Sequence, residues 1–273
     1  MFNNKLIWIT GASSGIGKAV AMEMVSRGAK LVLSARREEV LNEVKQACID
    51  HGAKEEDILV LPLDMLAQDK FKAAAEKVLN QFGSIDLLFN NAGISQRSLC
   101  LETEMSTYRT LFEVDVFGQI ALTKEVLPVM LKQKSGHIVI TSSVAGKLGV
   151  PYRTGYCAAK HAVIGFFDAL RAELANTAIK VSTIMPGYIQ TSISENALNG
   201  DGTDFGVTDS DIANGIDANE CAKQIVDGLA KDKKEIIVAG KRELNALRLK
   251  RFFPNIFFNV IAKIVTKPQA TNT

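Results

Sequence analysis

Short apolar runs alternate with longer amphipathic stretches along most of the chain. Leu6 to Ile9, Lys30 to Ala35, Ile58 to Leu63, Ile85 to Asn90, His137 to Thr141, Lys180 to Met185 and Glu235 to Val238 read as buried strands. Between them, helical spacing of apolar positions runs through Val25, then over 37–51, 67–82, 105–132, 155–175 and 218–231. Strands that alternate with helices of this length require right-handed crossovers, which build a parallel sheet covered on both faces. The fold class predicted is α/β, a Rossmann-type doubly wound parallel sheet of about seven strands with helices on both faces. No linker composition interrupts the pattern, so residues 1–240 are expected to form a single domain, followed by a basic, apolar C-terminal extension, 241–273.

The rhythm breaks at 187–217. From Thr191 to Glu220 the chain carries Glu195, Asp201, Asp204, Asp209, Asp211, Asp217 and Glu220 without one lysine or arginine. A segment this long inside a compact domain is expected to be a functional lid or a mobile loop, and 187–217 is taken as a substrate loop.

With 273 residues and 47% hydrophobic content, the chain can bury one large core or two small ones. Its net charge of +2 gives no reason to expect nucleic acid as a partner. The positive surplus is confined to the tail, where Lys241, Arg242, Arg248, Lys250, Arg251, Lys263 and Lys267 face only Glu243. Four scattered cysteines, Cys48, Cys100, Cys157 and Cys221, and three histidines suggest neither a disulfide framework nor a metal site. The first residues run straight into a strand, and no stretch reaches the ~18–20 apolar residues of a membrane span. A cytoplasmic protein is the expectation, with membrane association open through the tail.

Candidate chemistry starts at Thr10-Gly11-Ala12-Ser13-Ser14-Gly15-Ile16-Gly17, between the first strand and the first helix. Glycines here let the backbone approach a pyrophosphate, and the helix N-terminus supplies N–H donors. About twenty residues on, where an NAD-binding protein places an acidic residue, stand Arg36 and Arg37. A guanidinium binds a 2′-phosphate bidentately, and Ser13 can add a hydroxyl, so NADP(H) is the cofactor expected. The other reading of these arginines is the start of a solvated helix.

Tyr156 and Lys160 are four apart in a helical stretch and therefore share a face; Ser143 precedes the tyrosine by thirteen residues. A free tyrosine titrates near pH ~10, and a neighbouring cation lowers that value. Such a tyrosine can exchange a proton with a carbonyl or alcohol whose oxygen a serine holds.

In this order the motifs resemble the short-chain dehydrogenase/reductase family over roughly residues 5–240. Thr10 to Gly17 matches its TGxxxGxG turn, Asp64 its adenine-contacting aspartate, and Asn90-Asn91-Ala92-Gly93 its NNAG. Ser143, Tyr156–Lys160, Pro186-Gly187 and Thr191 match its later motifs. The resemblance implies a dinucleotide held by Gly11, Ser13, Ser14, Gly15, Ile16, Gly17, Arg36, Asp64, Asn91, Ala92, Gly93, Pro186, Gly187, Ile189 and Thr191, together with Tyr156 and Lys160. It implies Tyr156 as acid and base, Lys160 on the nicotinamide ribose, Ser143 on the substrate oxygen in preference to Ser142, and a homodimer or homotetramer through 105–132 and 155–175. The substrate expected is a small-molecule carbonyl or alcohol touching Ser143, Tyr156 and Tyr188. Ile94, Val144, Leu148, Tyr188 and Ile193 suggest that it is hydrophobic.

One position departs from the family. An asparagine of its catalytic set is replaced in Val114-Asp115-Val116-Phe117-Gly118. Asp115 can serve through its main chain, or its carboxylate can pair with Lys160 and weaken the lysine's effect on Tyr156. Several bland readings stand beside these. Asp64 can be a helix cap, Asn91 a turn residue, Cys157 a small buried hydrophobe, and His161 has no catalytic role. For the tail, Phe252, Phe253, Phe257 and Phe258 either enter lipid or pack over the substrate pocket or a partner. A catalytically weak nucleotide-binding sensor or scaffold, acting through that tail, is the alternative to an enzyme.

Overall fold

The computed structural model describes residues 2–265, apart from the side chains of Ile264 and Val265; Lys267, one of the tail's cations, lies outside them. Seven parallel strands form one sheet in the order β3-β2-β1-β4-β5-β6-β7. They are β1 (Leu6–Thr10), β2 (Lys30–Ser34), β3 (Ile58–Val60), β4 (Leu87–Asn90), β5 (Gly136–Thr141), β6 (Ile179–Pro186) and β7 (Glu235–Val238). β1 is buried at every position, as expected of a strand covered on both faces. Its Trp8 donates its indole N–H to Ser34 Oγ at 2.9 Å, which removes the cost of burying that donor.

Helices α1 (Gly15–Ser26), α2 (Glu38–Asp50) and α8 (Ala218–Ala230) build the core on one face. Helices α3 (Phe71–Phe82), α5 (Gly118–Gln133) and α6 (Thr154–Glu173) build the other. Strand order reverses between β1 and β4, which opens a crevice at their carboxyl ends.

The pattern over 105–132 predicts one helix, and the structure corrects this. α4 (Met105–Phe112) passes into a π-helical turn, Glu113–Phe117, before α5 begins. The wider turn shifts the phase of the side chains and places Asp115 in the interior rather than on a helix flank. β3 is shorter than expected. Leu61 and Leu63 still take Leu33 O and Ala35 O, but the ladder ends at Val60.

The acidic segment is folded down onto its surroundings. Leu198 N donates to Ser95 O and Arg97 N donates to Leu198 O, both at 2.8 Å, and Ile189 bridges Ile216. A short helix, α7 (Ser210–Ala213), follows Asp209, whose carboxylate caps it through Asp211 N. Two further helices, α9 (Lys241–Phe252) and α10 (Pro254–Val265), complete the described chain. No described helix is long and apolar enough to cross a membrane.

Candidate active site

The glycine turn lies at the crevice mouth. Gly11 has φ +64°, and a Cβ there would fall 2.9 Å from Ala92 Cα; one on Gly17 would fall 2.2 Å from Gly11 O. Only hydrogen fits at either position. Ser14, the α1 N-cap, makes no side-chain capping bond, so its hydroxyl and the first amides of the helix remain available to an anion. Ser13 is half-buried beside it, and Ile16 packs its side chain into the core.

The turn is tied to the end of β4 by long-range bonds. Thr10 Oγ1 accepts from Asn91 N (2.9 Å) and Ala92 N (3.0 Å), and Asn91 Nδ2 donates to Thr10 O (3.2 Å). Asn91 is thus a structural tie as well as a wall of the crevice. From the other side, Thr191 lies over the turn, its Cγ2 only 3.0 Å from where a Gly15 Cβ would stand. Pro186, Gly187 and Ile189 lead to it from the end of β6, so the pieces predicted to hold a dinucleotide surround one cleft. The uncapped start of α1 and the hydrogen-only positions Gly11 and Gly17 fit such a group.

Arg36 is exposed just beyond β2, with no hydrogen bond or ion pair among the described residues. Asp64 Oδ1 accepts from Leu66 N at 3.0 Å, a turn-forming role that leaves its second oxygen open.

Ser143 and Ser142 have separate tasks. Ser142 is buried and donates to Lys160 O at 2.8 Å, joining β5 to α6. Ser143, half-buried, accepts from Ala145 N at 3.1 Å and donates to Pro186 O at 3.3 Å, which ties it to the end of β6. Tyr156 and Lys160 lie on one face of α6, with the ammonium 5.6 Å from the ring centroid. Lys160 Nζ also donates to Thr141 O at 3.2 Å.

The family model for short chain dehydrogenases matches residues 5–201. The chain belongs to the short-chain dehydrogenase/reductase family. Within it, the chain is similar to human dehydrogenase/reductase SDR family member 7, at 43% identity over 91% of this chain and 74% of that protein. It is also similar to member 7B of Xenopus tropicalis, at 39% over 97% and 86%, which places it in this branch. Among solved structures, a short-chain dehydrogenase/reductase from Burkholderia phymatum in complex with NAD superposes with a TM-score of 0.83. It is 27% identical, covering 93% of this chain and 95% of that one. Levodione reductase gives 0.80 at 26% identity, over 89% and 99%.

In this short-chain dehydrogenase the departure at Asp115 is resolved in favour of a direct pair. Asp115 Oδ2 lies 3.1 Å from Lys160 Nζ with both side chains buried, and Asp115 Oδ1 accepts from Ile94 N at 2.8 Å. Gly93 passes close enough that a Cβ there would lie 3.2 Å from both groups. Burial pushes the Asp115 carboxyl above its ordinary range, against the opposing pull of Lys160 and the Ile94 amide. Burial works to lower Lys160, but Asp115 and Tyr156 outweigh it and hold the ammonium above its ordinary value.

Other residues reach the site without having been singled out in the sequence. Gln119 donates to Ala92 O and pins the NNAG turn. Gln96 Oε1 accepts from Gly155 N at 2.7 Å, next to the tyrosine. Arg97 and Arg153 converge on Asp209 of the acidic loop, at 3.4 and 2.8 Å. Their only sequence signal is position: one follows NNAG closely, and the other precedes Tyr156 by three.

Of the apolar candidates, Val144 and Leu148 pack against Phe257 of α10 instead of remaining free for a substrate; Ile94, Tyr188 and Ile193 are half-buried near the cleft. The tail divides its phenylalanines. Phe257 is buried, while Phe252, Phe253 and Phe258 are 69%, 59% and 54% exposed. Phe257 thus packs beside the site, as one of the two expectations for this segment has it, while the other three are exposed. α9 adds Glu243, which accepts from Tyr188 N at 3.1 Å, and Lys250, which donates to Lys147 O at 2.6 Å.

Proposed function

We propose that the chain is an NADP(H)-dependent oxidoreductase that interconverts a carbonyl and a secondary alcohol on a substrate with substantial apolar surface. The observation that carries the reading is the convergence of Ser143, Tyr156 and Lys160 beside a glycine turn that Thr191 closes from above. The nicotinamide, when bound, supplies or accepts the hydride. Ser143 holds the substrate oxygen. Tyr156 gives that oxygen a proton in reduction and takes one in oxidation. Lys160, anchored by Thr141 O and Asp115, keeps a positive charge beside the phenol throughout.

NADP(H) is favoured because the end of β2 offers the Arg36 guanidinium, without a partner among the described residues, and the chain there, Ala35-Arg36-Arg37, has no carboxylate to repel a phosphate. Steady-state turnover of a carbonyl panel with NADPH and NADH tests both parts. Tyr156→Phe should lower kcat by on the order of 10²–10⁴, and Arg36→Ala should narrow the preference for NADPH. Equal kcat/KM for the two cofactors in the wild type would remove the cofactor assignment. An unchanged Tyr156→Phe variant, or no turnover of any carbonyl, would leave the nucleotide-binding scaffold in its place.

The tail supports peripheral membrane contact: Phe252, Phe253, Ile256, Phe258 and Val260 are exposed on one short segment that also carries Arg248, Lys250 and Arg251. Full-length protein should co-sediment with vesicles containing phosphatidylserine. The Phe252→Ser/Phe258→Ser double variant should remain in the supernatant, and equal sedimentation of the two proteins would exclude this contact. A homodimer or homotetramer through α4 to α6 belongs to the same proposal; Phe117 and Leu131 are exposed there.

A further inference from the structure

Lys160 is balanced by Asp115, but the second buried cationic group near Tyr156 is not balanced. Arg97 and Arg153 have side chains only 6% and 15% exposed, and they share one carboxylate oxygen, Asp209 Oδ2. The next acid in the loop, Asp211, is engaged by Arg242 at 3.2 Å. Two guanidiniums therefore face one carboxylate in a place largely shut off from water. An excess charge there is costly unless something compensates it.

The donors point the same way. Arg97 Nη1 gives hydrogen bonds to Ser95 Oγ (3.0 Å) and Gln96 O (2.8 Å), yet its Nε is buried with no partner among the described residues. Among the described residues Arg153 uses only Nη2, toward Asp209, leaving most of its five N–H groups unengaged there. Asp209 is not a counter-ion free to swing between them. Its Oδ1 caps α7 through Asp211 N at 3.0 Å, and its own N–H donates to Ser194 Oγ at 3.1 Å. The carboxylate fixes both arginines in place while saturating few of their donors.

This cluster adjoins the chemistry. The Arg153 guanidinium stands 5.7 Å over the Tyr188 ring, and Gly155, between Arg153 and Tyr156, donates to Gln96 beside Arg97. Burial and then Arg153 push Arg97 down to about 10, against the opposing effects of Asp209, Tyr156 and Tyr188. Those are the charged and titratable groups that it feels.

We propose that Arg97 and Arg153 form a subsite for an acidic group on the substrate, a carboxylate or phosphate monoester, so that the reacting carbonyl belongs to a molecule with one anionic end. A planar guanidinium with free N–H groups matches either oxyanion in a bidentate manner. Asp209, held at the N-terminus of α7, keeps the two guanidiniums side by side for that group.

The inference rests on the oxidoreductase reading, and its test separates the two. NADPH-dependent turnover is compared for pyruvate, acetoacetate and levulinate against their methyl esters, and for hydroxyacetone phosphate against hydroxyacetone. At least one acid should exceed its neutral counterpart in kcat/KM by about tenfold or more. Arg153→Met should abolish that ratio, and Arg153→Lys, which keeps the charge without the fork, should retain only part of it. The responding arm distinguishes carboxylate from phosphate. In parallel, calorimetry on the NADP-loaded protein compares laurate with lauryl alcohol and inorganic phosphate with chloride. Tighter binding of laurate or of phosphate, weakened in Arg153→Met, supports the subsite even if no carbonyl is turned over. Neutral substrates used as well as acids, with no preference in calorimetry, would overturn it, as would a preference that Arg153→Met leaves intact.

Discussion

At the amino ends of the strands, side chains close the sheet; at the carboxyl ends they leave it open. On the amino side, Asp86 accepts from both Lys5 Nζ and Leu6 N at 2.9 Å, and Lys30 pairs with Asp57 at 2.9 Å. The Gln133 side chain takes Ile85 N and gives to Ile85 O, and Lys180 pairs with Asp232 at 2.6 Å. On the carboxyl side lie Asn90 Oδ1, Arg97 Nε, Asp115 Oδ2, Gln119 Oε1 and Thr141 Oγ1. Among the described residues these are all the buried side-chain N and O atoms without a hydrogen-bond partner, although Asp115 Oδ2 faces Lys160 Nζ as an ion pair at 3.1 Å. Both edges of a parallel sheet end in polar backbone that must be satisfied. One edge is completed by the protein's own groups, and the other keeps polar capacity in reserve at the topological switch point, where ligands of this architecture bind.

The largest test of that contrast falls on Asp115, whose buried ion pair is the main brace of the open edge. Asp115→Ala strands the Lys160 ammonium and the Ile94 amide in the interior and should cost about 3–5 kcal/mol in urea unfolding. A loss below ~1 kcal/mol would mean that the pair does not hold this edge together. Asp115→Asn keeps an acceptor for Ile94 but presents an amide to Lys160. Its kcat should stay within about tenfold of wild type, the carboxylate being a brace rather than a proton-transfer group. A larger change in either direction would show that the carboxylate itself enters the chemistry.

Which parts could be read beforehand follows from the distance over which each is determined. The strands, the glycine turn and the Tyr156–Lys160 pairing are written in neighbouring residues, through apolar period, hydrogen-only positions and helical spacing. The Asp115–Lys160 contact is open in the sequence as one of two alternatives, because the choice depends on a π-turn that the period of 105–132 does not announce. The members of the Arg97–Arg153–Asp209 cluster come from three segments, and only the folded acidic loop brings them together. The two serines of Ser142-Ser143, told apart in the sequence only by the family resemblance, are separated physically by their tertiary partners, Lys160 O and Pro186 O.

A second test sharpens the comparison by asking what walls the open edge. Phe257 packs against Val144 and Leu148, directly after the serine, so Phe257→Ala should lose about 3 kcal/mol by leaving a cavity under the site. Phe258→Ala, one residue on but exposed, should change stability by about 0.5 kcal/mol or less. Equal losses in the two variants would mean that the tail does not pack as a wall of the cleft.

The smallest effect belongs to the closed edge and runs through His137. Its Nε2 lies 2.8 Å from Ser182 Oγ, and because that hydroxyl donates to Lys233 O at 2.7 Å, the ring nitrogen must be the donor. Burial, reinforced by Lys180, pushes the imidazole down to about 4, so it is neutral in the folded protein while an unfolded chain protonates near 6.5. Above the unfolded value both states are neutral and the group exerts no pH effect. As pH falls from about 6.5 toward 4 the unfolded chain binds the extra proton, and the stability present at neutral pH is lost at up to about 1.4 kcal/mol per unit. At pH ~5 the loss should be about 2 kcal/mol. His137→Gln, which keeps a donor for Ser182 but cannot titrate, should flatten this part of the profile in urea unfolding between pH ~7 and ~5. If the variant retains the full acid sensitivity of the wild type, the sensitivity originates elsewhere, and the carboxylates and arginines of the open edge become the groups to titrate next.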